Sequence, residues 1–259
     1  MKIYTKESLV AELIRIRERG CILSARPGNH GAVGNTLEDL LGIEENNLPI
    51  PNAAEWELKA QRINTTSLTT LFHMEPSPRA LRFVPAILLP TYGWRHSKAG
   101  VSYPETEMSF RQTICAYGFS DRGFSVKVDR DERKISVAFN LNSVDMRHAE
   151  WIASVGLKGG GIFEFHPYWG FDDLFHKAGT KLHNCFYVRA LSKIENGLKY
   201  FHFRDILMLK KFSLDKFVDA IESGDVYVDF DARTGHNHGT KFRIKDKKVP
   251  DLYAESTSF

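Results

Sequence analysis

The stretch at residues 56–61 reads as a β-strand and places a glutamate and a lysine two positions apart. Residues two apart on a strand point to the same face, so Glu57 and Lys59 would stand side by side. The stretch therefore predicts a strand that presents a carboxylate and an ammonium together on one face.

The rest of the chain combines helical and extended patterns. Helices are predicted at residues 5–19, 149–155, 171–180 and 213–223, and in a short segment that is capped by Asn35 or Thr36 and has Glu38 in its first turn. Residues 56–61 and 68–73 are expected to be strands of a central sheet, joined by a turn at 65–67. Further strands are predicted at 110–117, 124–128, 135–140, 185–194, 200–203, 226–231 and 241–244, with turns at 120–123, 129–132 and 195–197. The pattern predicts a mixed α/β fold with a largely mixed or antiparallel sheet.

The composition is that of a soluble globular protein with 42% hydrophobic residues. No apolar run approaches the roughly 20 residues of a membrane span, and residues 1–10 do not resemble a signal peptide. The three cysteines, Cys21, Cys115 and Cys185, are far apart, which favours a reducing cytoplasm. The net charge of +3 does not by itself indicate nucleic acid. The basic residues at 241–248 are either part of a binding surface or a solvated tail.

The carboxylate of Glu57 and the ammonium of Lys59 suit the hydrolysis of a phosphodiester. This reaction needs an activated water molecule and positive charge at the phosphate, which hard divalent ions supply. Mg²⁺ prefers oxygen ligands, so Glu57 can be one ligand and Lys59 can orient the nucleophile or stabilise charge. A Glu-Leu-Lys triplet is common on exposed strands, so the triplet alone does not establish this chemistry.

The preceding segment Gly31-Ala32-Val33-Gly34-Asn35-Thr36-Leu37-Glu38-Asp39-Leu40-Leu41-Gly42, followed by the Glu57-Leu58-Lys59 strand, resembles the MvaI/BcnI family of type II restriction endonucleases. This family belongs to the PD-(D/E)xK nuclease superfamily and is related to MutH. The resemblance implies a catalytic set of Glu38, Asn52, Glu57 and Lys59, with Glu38, Asn52 and Glu57 as metal ligands. Arg62 and Leu68-Thr69-Thr70-Leu71-Phe72 are also similar to the family pattern.

A second similarity lies in His236-Asn237-His238-Gly239-Thr240-Lys241-Phe242-Arg243, which resembles the family's DNA-reading segment. Arginine can bond to O6 and N7 of guanine, and a neutral imidazole can donate or accept a hydrogen bond. The resemblance implies DNA contacts from His236, His238 and Arg243, and Arg233, Lys241, Arg62 and His30 are further candidates. His-x-His could instead be a zinc ligand pair or a polar hairpin, and His30 an ordinary surface histidine.

The resemblance implies a restriction-endonuclease-like fold with a mixed central sheet flanked by helices and two lobes around a DNA cleft. A catalytic lobe is expected at roughly residues 1–75 with parts of 105–180, and a recognition lobe at roughly 185–250 of one domain. The expected activity is Mg²⁺-dependent cleavage of duplex DNA at a short C/G-rich, CCxGG-like site, with Mn²⁺ as a substitute ion. A monomer is implied, and a cognate DNA methyltransferase acting on the same site would complete a restriction–modification pair.

Asn52 departs from the family pattern, which has an aspartate at this position. Asparagine keeps one oxygen but loses the charge, so it is a poorer ligand for Mg²⁺. The chain could be an inactivated enzyme, a variant in which another carboxylate such as Glu55 substitutes, or a binding-only protein. A MutH-like nuclease that nicks one strand with a partner is a further alternative.

Overall fold

The computed structural model describes residues 4–26, 28, 31–43, 55–63, 65–160 and 166–259. Two of the candidate site residues, His30 and Asn52, lie outside the described residues. Their predicted roles therefore rest on the sequence.

The described residues form six α-helices and fourteen β-strands. The helices are α1 (Lys6–Glu18), α2 (Ala32–Leu41), α3 (Leu89–Tyr92), α4 (Ala149–Leu157), α5 (Phe171–Leu182) and α6 (Leu214–Glu222). The strands are β1 (Ile22–Leu23), β2 (Glu57–Arg62), β3 (Thr69–His73), β4 (Trp94–Arg95), β5 (Met108–Ile114), β6 (Arg122–Asp129), β7 (Lys134–Val144), β8 (Tyr168–Gly170), β9 (Asn184–Glu195), β10 (Leu198–Phe212), β11 (Val226–Arg233), β12 (His236–Asn237), β13 (Lys241–Ile244) and β14 (Tyr253–Ser258).

The contacts group the chain into two compact units. The described residues up to Thr69, together with His176–Ser213 and Lys245–Phe259, form the first unit. Thr70–Phe175 and Leu214–Ile244 form the second. Residues 185–213, which were expected in a recognition lobe, are thus grouped with the Glu57 strand. The functional assignment of the two lobes stays a prediction.

The first unit is built on a five-stranded sheet in the order β1-β10-β9-β2, with β14 also paired to β10. Its centre is the long antiparallel hairpin of β9 and β10. The hairpin turns at Asn196 and Gly197, whose φ angles are both positive, 51° and 76°. Two successive positive φ angles are what a tight hairpin turn requires, and Asn-Gly adopts them readily. Strand β2 runs parallel to β9 along its whole length.

Helices α1 and α2 cover one face of this sheet. Their buried residues pack in one cluster with Leu58 of β2 and Phe186 and Val188 of β9. Helix α1 begins at a capping box in which Thr5 and Ser8 bond to each other's backbone N–H groups. Because side chains alternate along β2, the packing of Leu58 against the helices directs Glu57 and Lys59 to the opposite face.

The second unit contains two sheets. One has the order β3-β13-β11-β5-β4, with β12 paired to β11, and the other has the order β6-β7-β8. Aromatic rings fill its core, for example Phe72, which stacks on Phe242 and also contacts Phe217 of α6. Strand β11 alternates between fully buried and half-buried residues. This alternation sends its apolar residues into the core and its charged residues to the outer face.

Most predicted elements are confirmed. Helix α1 and β9 have nearly the predicted bounds, and α4, α5, α6, β6, β7, β11 and β13 all form where they were expected. The hairpin partner of β9 was predicted only at 200–203, but β10 continues to Phe212. The predicted turn at residues 129–132 joins β6 and β7.

The start of α2 was predicted wrongly. The helix begins at Ala32, so Thr36 lies inside it and Glu38 lies in its second half. The glycines at 31 and 34 suggested a loop, but Ala32, Val33, Leu37 and Leu41 bury one continuous stripe. The Thr36 hydroxyl donates to the carbonyl of Ala32 at 2.7 Å, which is the bond of a mid-helix threonine.

The expectation that residues 56–61 and 68–73 share a sheet was also wrong. Strand β2 pairs with β9, whereas β3 pairs with β13 in another sheet. The segment between them is held to β2 by the Gln61 side chain, which donates to the carbonyl of Ser67 and to Thr69 Oγ1. Side-chain bonds therefore fix this connection where a hairpin ladder was expected.

Within the described residues, none of the helices has the length and apolar character required to span a bilayer. Cys21 is exposed, Cys115 is half-buried and Cys185 is buried, and all three are free thiols.

Two glycine substitutions should shift the free energy of unfolding in opposite directions. An added Cβ meets no atom within 4 Å at either Gly34 or Gly197, but only Gly197 has a positive φ. Gly34→Ala in α2 should stabilise the protein by about 0.4–1 kcal/mol, because alanine reduces the entropy of the unfolded chain. Gly197→Ala should destabilise it by about 1–2 kcal/mol through left-handed strain. Urea unfolding measures both changes, and shifts of the same sign would contradict the turn geometry.

Candidate active site

The candidate site is built on the face of β2 that points away from α1 and α2. Glu57 is aligned with Cys185 of β9, and Lys59 is aligned with Tyr187. The Glu57 side chain is only 5% exposed, and the Lys59 side chain is 13% exposed. The two side chains predicted to stand together do so, with Lys59 Nζ at 3.1 Å from Glu57 Oε1.

A second lysine faces the same carboxylate. Lys181, in the last turn of α5, places its Nζ at 3.8 Å from Glu57 Oε1. The other oxygen, Glu57 Oε2, is buried and has no hydrogen-bond partner among the described residues. A buried carboxylate oxygen without a partner is destabilising. A bound cation would satisfy it, so this oxygen is a candidate metal ligand.

Neutral groups lie beside the carboxylate. Burial raises the pKa of the Cys185 thiol to about 12, although the nearby Lys59 opposes the shift. Burial also raises the pKa of Tyr253 well above its ordinary value, and the Cys185 thiol adds to this shift. Both groups are therefore protonated at neutral pH. In the described part of the site, the charge comes from Glu57 and the two lysines.

A buried polar network continues along the same face. The Tyr187 hydroxyl donates to Asp246, and Thr69 Oγ1 lies 3.1 Å from that hydroxyl. Arg189 pairs with the other oxygen of Asp246 at 3.1 Å. Burial, followed by the Asp246 bond, raises the pKa of Tyr187. These bonds tie β9 and Thr69 to the segment around Asp246.

Three further candidates, Glu38, Arg62 and Glu55, belong to the first unit. Glu38 is half-buried on α2, whose buried residues pack on the Leu58 face of β2. Arg62 shares the parity of Leu58, so it does not join Glu57 and Lys59. Glu55 is exposed just before β2, and its Oε1 accepts a bond from the Trp56 indole at 3.1 Å. Within the described ranges, no three His, Cys, Asp or Glu side chains cluster as a metal site.

The predicted reading segment forms a hairpin in the second unit. Strand β12 pairs with the end of β11, so that His236 is aligned with Arg233. His236 and His238 are both exposed, and their ring centroids are 4.2 Å apart with the planes at 74°. Glu75 holds the base of the segment, because its carboxylate accepts bonds from the backbone and hydroxyl of Thr240 and from Asn237. The structure thus brings the two histidines together on a fixed support.

Lys241 and Arg243 of the reading segment, and the neighbouring Arg233, are each paired with a carboxylate. Arg243 contacts Asp229 at 3.1 Å, Lys241 contacts Asp231 at 3.4 Å and Arg233 contacts Glu107 at 2.9 Å. Arg111 of β5 also binds Asp231, at 2.7 Å. These pairs alternate along the outer face of β5, β11 and β13. The cations are therefore oriented by the sheet itself.

Sequence reasoning missed two parts of this arrangement. It gave no role to Lys181, although the helical pattern at residues 171–180 could have drawn attention to a lysine in the last turn. It also overlooked Asp229 and Asp231, whose alternation along a predicted strand was visible in the sequence. Neither signal reveals which cation faces which carboxylate, because the partners come from distant segments.

The Asp231 pairs should appear in the pH dependence of stability. Partial burial tends to raise the pKa of Asp231, but Arg111, Lys241 and His238 outweigh it and lower the pKa below the ordinary value of 3.8. A lowered folded-state pKa stabilises the fold above pH 3.8, and this contribution is lost as the pH falls through the folded-state value. Asp231→Asn should therefore lower the melting temperature at pH 7, and the gap to the parent should close toward pH 3.

A control separates this effect from the general loss of a carboxylate. Asp131 is exposed in the turn between β6 and β7, so Asp131→Asn should change the melting temperature little at either pH. If the difference in melting temperature between Asp231→Asn and the parent stayed constant from pH 7 to pH 3, the assigned ion pairs would be contradicted.

Comparison with known proteins gives a family and a fold. The model of the MvaI/BcnI restriction endonuclease family matches residues 10–253. The structure of a restriction endonuclease MvaI–cognate DNA substrate complex aligns with a TM-score of 0.78 and 24% identity, covering 98% of this chain and 99% of that chain. MvaI in the absence of DNA aligns with a TM-score of 0.54 and 24% identity, covering 100% and 99%.

No curated protein sequence matches the chain. The structural alignments confirm the restriction-endonuclease-like mixed α/β fold that was expected. The family match spans nearly the whole chain and includes the Glu57 strand and the His236–Arg243 segment. The chain therefore belongs to the MvaI/BcnI restriction endonuclease family.

Proposed function

We propose that the protein is a sequence-specific endonuclease that hydrolyses duplex DNA with a divalent ion held at Glu57. The observation that carries this proposal is the state of the Glu57 carboxylate. It is buried, one oxygen contacts Lys59, and the other has no partner within the described part of the chain. A buried carboxylate with one vacant oxygen beside an ammonium suits a site that binds both a metal ion and a phosphate.

The oxygen donors fit Mg²⁺, which prefers carboxylate ligands, and Mn²⁺ would substitute. We propose Glu57 as the central ligand, with Glu38 and the Asn52 side chain as further ligands. When bound, the ion would lower the pKa of a water molecule and neutralise phosphate charge. The family membership supports a divalent ion, and the identity of Mg²⁺ is part of the proposal.

Lys59 would act on the substrate side of the site. Its ammonium has three N–H donors. While one of them bonds to Glu57 Oε1, another can donate to the attacking water or to a phosphate oxygen. In the reaction the water oxygen bonds to phosphorus while the bond to the leaving oxygen breaks. One water proton passes to a base or to solvent, and the leaving oxygen takes up a proton. Cys185 and Tyr253 beside the carboxylate are neutral, so they add no charge that would compete with it.

The reading segment would supply sequence specificity. We propose that His236, His238 and Arg243 contact base edges, and that Arg233, Lys241, Arg62 and His30 contribute contacts to the DNA. The exposed and mutually oriented imidazoles support this assignment. The pair between Arg243 and Asp229 supports it as well, because a held guanidinium is pre-organised for the paired bonds that guanine accepts. A short C/G-rich, CCxGG-like site read by a monomer, with a cognate methyltransferase, completes the proposal.

A second candidate is a sequence-specific DNA-binding protein without catalysis. The observation that favours it is Asn52, which puts a neutral side chain where the family pattern has a carboxylate. This protein would retain the reading segment and bind its site without cutting. A nickase that works with a partner, as MutH does, would cut one strand only.

Cleavage of a mixed-sequence plasmid distinguishes these candidates. With Mg²⁺ or Mn²⁺, the parent should cut both strands at one short sequence, and Asn52→Asp should cut faster. We expect at least about a tenfold increase, because even outer-shell partners of a metal change activity by about 10- to 100-fold. Glu57→Gln keeps the shape but loses the ligand charge, so it should abolish cleavage while retaining DNA binding. Mapping of the cut ends gives the site.

The controls for this assay use carboxylates outside the proposed ligand set. Glu55→Gln should leave the rate unchanged, because Glu55 is exposed and bonded to its neighbour Trp56. Equal cleavage rates for the parent and Asn52→Asp would contradict the proposal that the neutral side chain at position 52 weakens metal binding. Site-specific binding without cleavage by either protein would favour the binding-only candidate, and partner-dependent nicks would favour the nickase.

The reading segment predicts a change in specificity as well as affinity. Arg243→Ala should reduce discrimination against a wrong base pair by about 1–3 kcal/mol, the usual contribution of a paired base contact. His236→Ala and His238→Ala should also relax specificity. Competition binding with single-base variants of the mapped site, at fixed salt, measures these changes. His148→Ala removes an imidazole that is paired with Asp121 and should keep full discrimination. An equal loss of affinity for every sequence would show that these residues contact only the backbone.

A further inference from the structure

Lys181 is the second cation at Glu57, and no role has been assigned to it. Its Nζ lies 3.8 Å from Oε1, the same oxygen that Lys59 contacts at 3.1 Å. The two lysines come from different elements, since Lys59 is on β2 and Lys181 is on α5. Their convergence on one buried oxygen is therefore a property of the tertiary structure.

The position of Lys181 is fixed by the packing of α5. Ala178 and Leu182, which flank Lys181 on the helix, are fully buried. The Lys181 side chain is 25% exposed, so most of its stem is covered while the ammonium remains close to the surface of the site. Lysine stems commonly pack in this way and leave the charged end free to reach a polar partner. Lys177 lies one helical turn earlier on the same side of α5.

The charges at this point do not suit a site for a metal ion alone. Among the described residues, Glu57 contributes one negative charge, Lys59 and Lys181 contribute two positive charges, and Cys185 and Tyr253 are neutral. An ammonium close to a ligand carboxylate opposes the binding of a divalent cation. A second lysine is therefore unfavourable for metal binding, but it is favourable for a site that also receives an anion. Lysine is a common ligand of phosphate groups.

We propose that Lys181 is a catalytic residue that binds a non-bridging oxygen of the scissile phosphodiester. In the free protein it helps to neutralise Glu57, and in the DNA complex it turns to the phosphate while the metal ion occupies the carboxylate. This inference rests on the proposed function and deepens it. Lys181 keeps its protons throughout and stabilises the negative charge that the phosphate oxygens gain as water adds to phosphorus.

The test compares Lys181→Met with Lys177→Met, which makes the same change one turn away on the same helix. The first readout is the affinity of the DNA-free full-length protein for Mn²⁺. It is measured from the electron paramagnetic resonance signal of the free ion. Lys181→Met should bind Mn²⁺ about threefold to tenfold more tightly, because it removes a repelling charge. The cleavage rate at saturating DNA should fall by about a hundredfold, as for the loss of one donor to a developing oxyanion. Lys177→Met should change neither quantity.

Two further measurements separate a chemical role from a structural one. Lys181→Arg keeps the charge, so it should restore the parent's Mn²⁺ affinity and recover part of the cleavage rate. The slope of log Kd against log salt for duplex DNA should fall by about one phosphate contact in Lys181→Met. Weaker Mn²⁺ binding together with lost cleavage would show that Lys181 only supports the fold of the site and would overturn the proposal. Unchanged Mn²⁺ affinity and unchanged cleavage would also overturn it.

Failure of the proposed function has a different signature. If neither the parent nor Asn52→Asp cuts DNA under any divalent ion, the assignment as a nuclease fails. In that case tighter Mn²⁺ binding and the loss of one phosphate contact in Lys181→Met would still support Lys181 as a phosphate ligand. Their absence would reject both ideas.

Discussion

The parallel pairing of β2 with β9 is the constraint on which the candidate site depends. It aligns Glu57 with Cys185 and Lys59 with Tyr187, and it leaves Leu58 to pack with the helices on the other face. A shift of one residue in this register would move every side chain of β2 to the opposite face. The carboxylate would then enter the hydrophobic cluster. The apolar packing around Leu58 and the buried hydrogen bonds of Tyr187 therefore fix the register that keeps Glu57 and Lys59 on the same face of the sheet.

Local patterns predicted much of the fold. The apolar stripe of α1, the Asn-Gly turn of the β9–β10 hairpin and the alternation of β11 are all short-range signals, and each element formed as expected. The start of α2 was misjudged because two glycines suggested a loop, whereas the burial of Ala32 and Val33 outweighs the low helix propensity of Gly34. The separation of β2 and β3 could not be foreseen, because strand partners far apart in sequence leave no local signal.

The candidate site was predictable in part for the same reason. The parity of Glu57 and Lys59 follows from strand geometry, and their contact is confirmed. The approach of Lys181 depends on how α5 packs, and the pairing of Arg243 with Asp229 depends on the register of β11 with β13. Strand parity identifies residues that act within one element. It does not identify a cation such as Lys181, which reaches Glu57 from another element.

The carboxylates on the outer face of β11 have a consequence for how the protein would search DNA. Asp229 and Asp231 occupy Arg243, Lys241 and Arg111 in the way that phosphates would. In the proposed function, arbitrary DNA would have to displace these internal anions before it could bind the cations. A DNA sequence with well-placed base acceptors would offset the free energy of breaking these ion pairs, whereas phosphate contacts with a non-specific sequence would offset it only in part. Built-in competitors of this kind would shorten the time spent on wrong sites and speed the search, and they agree with a net charge of only +3.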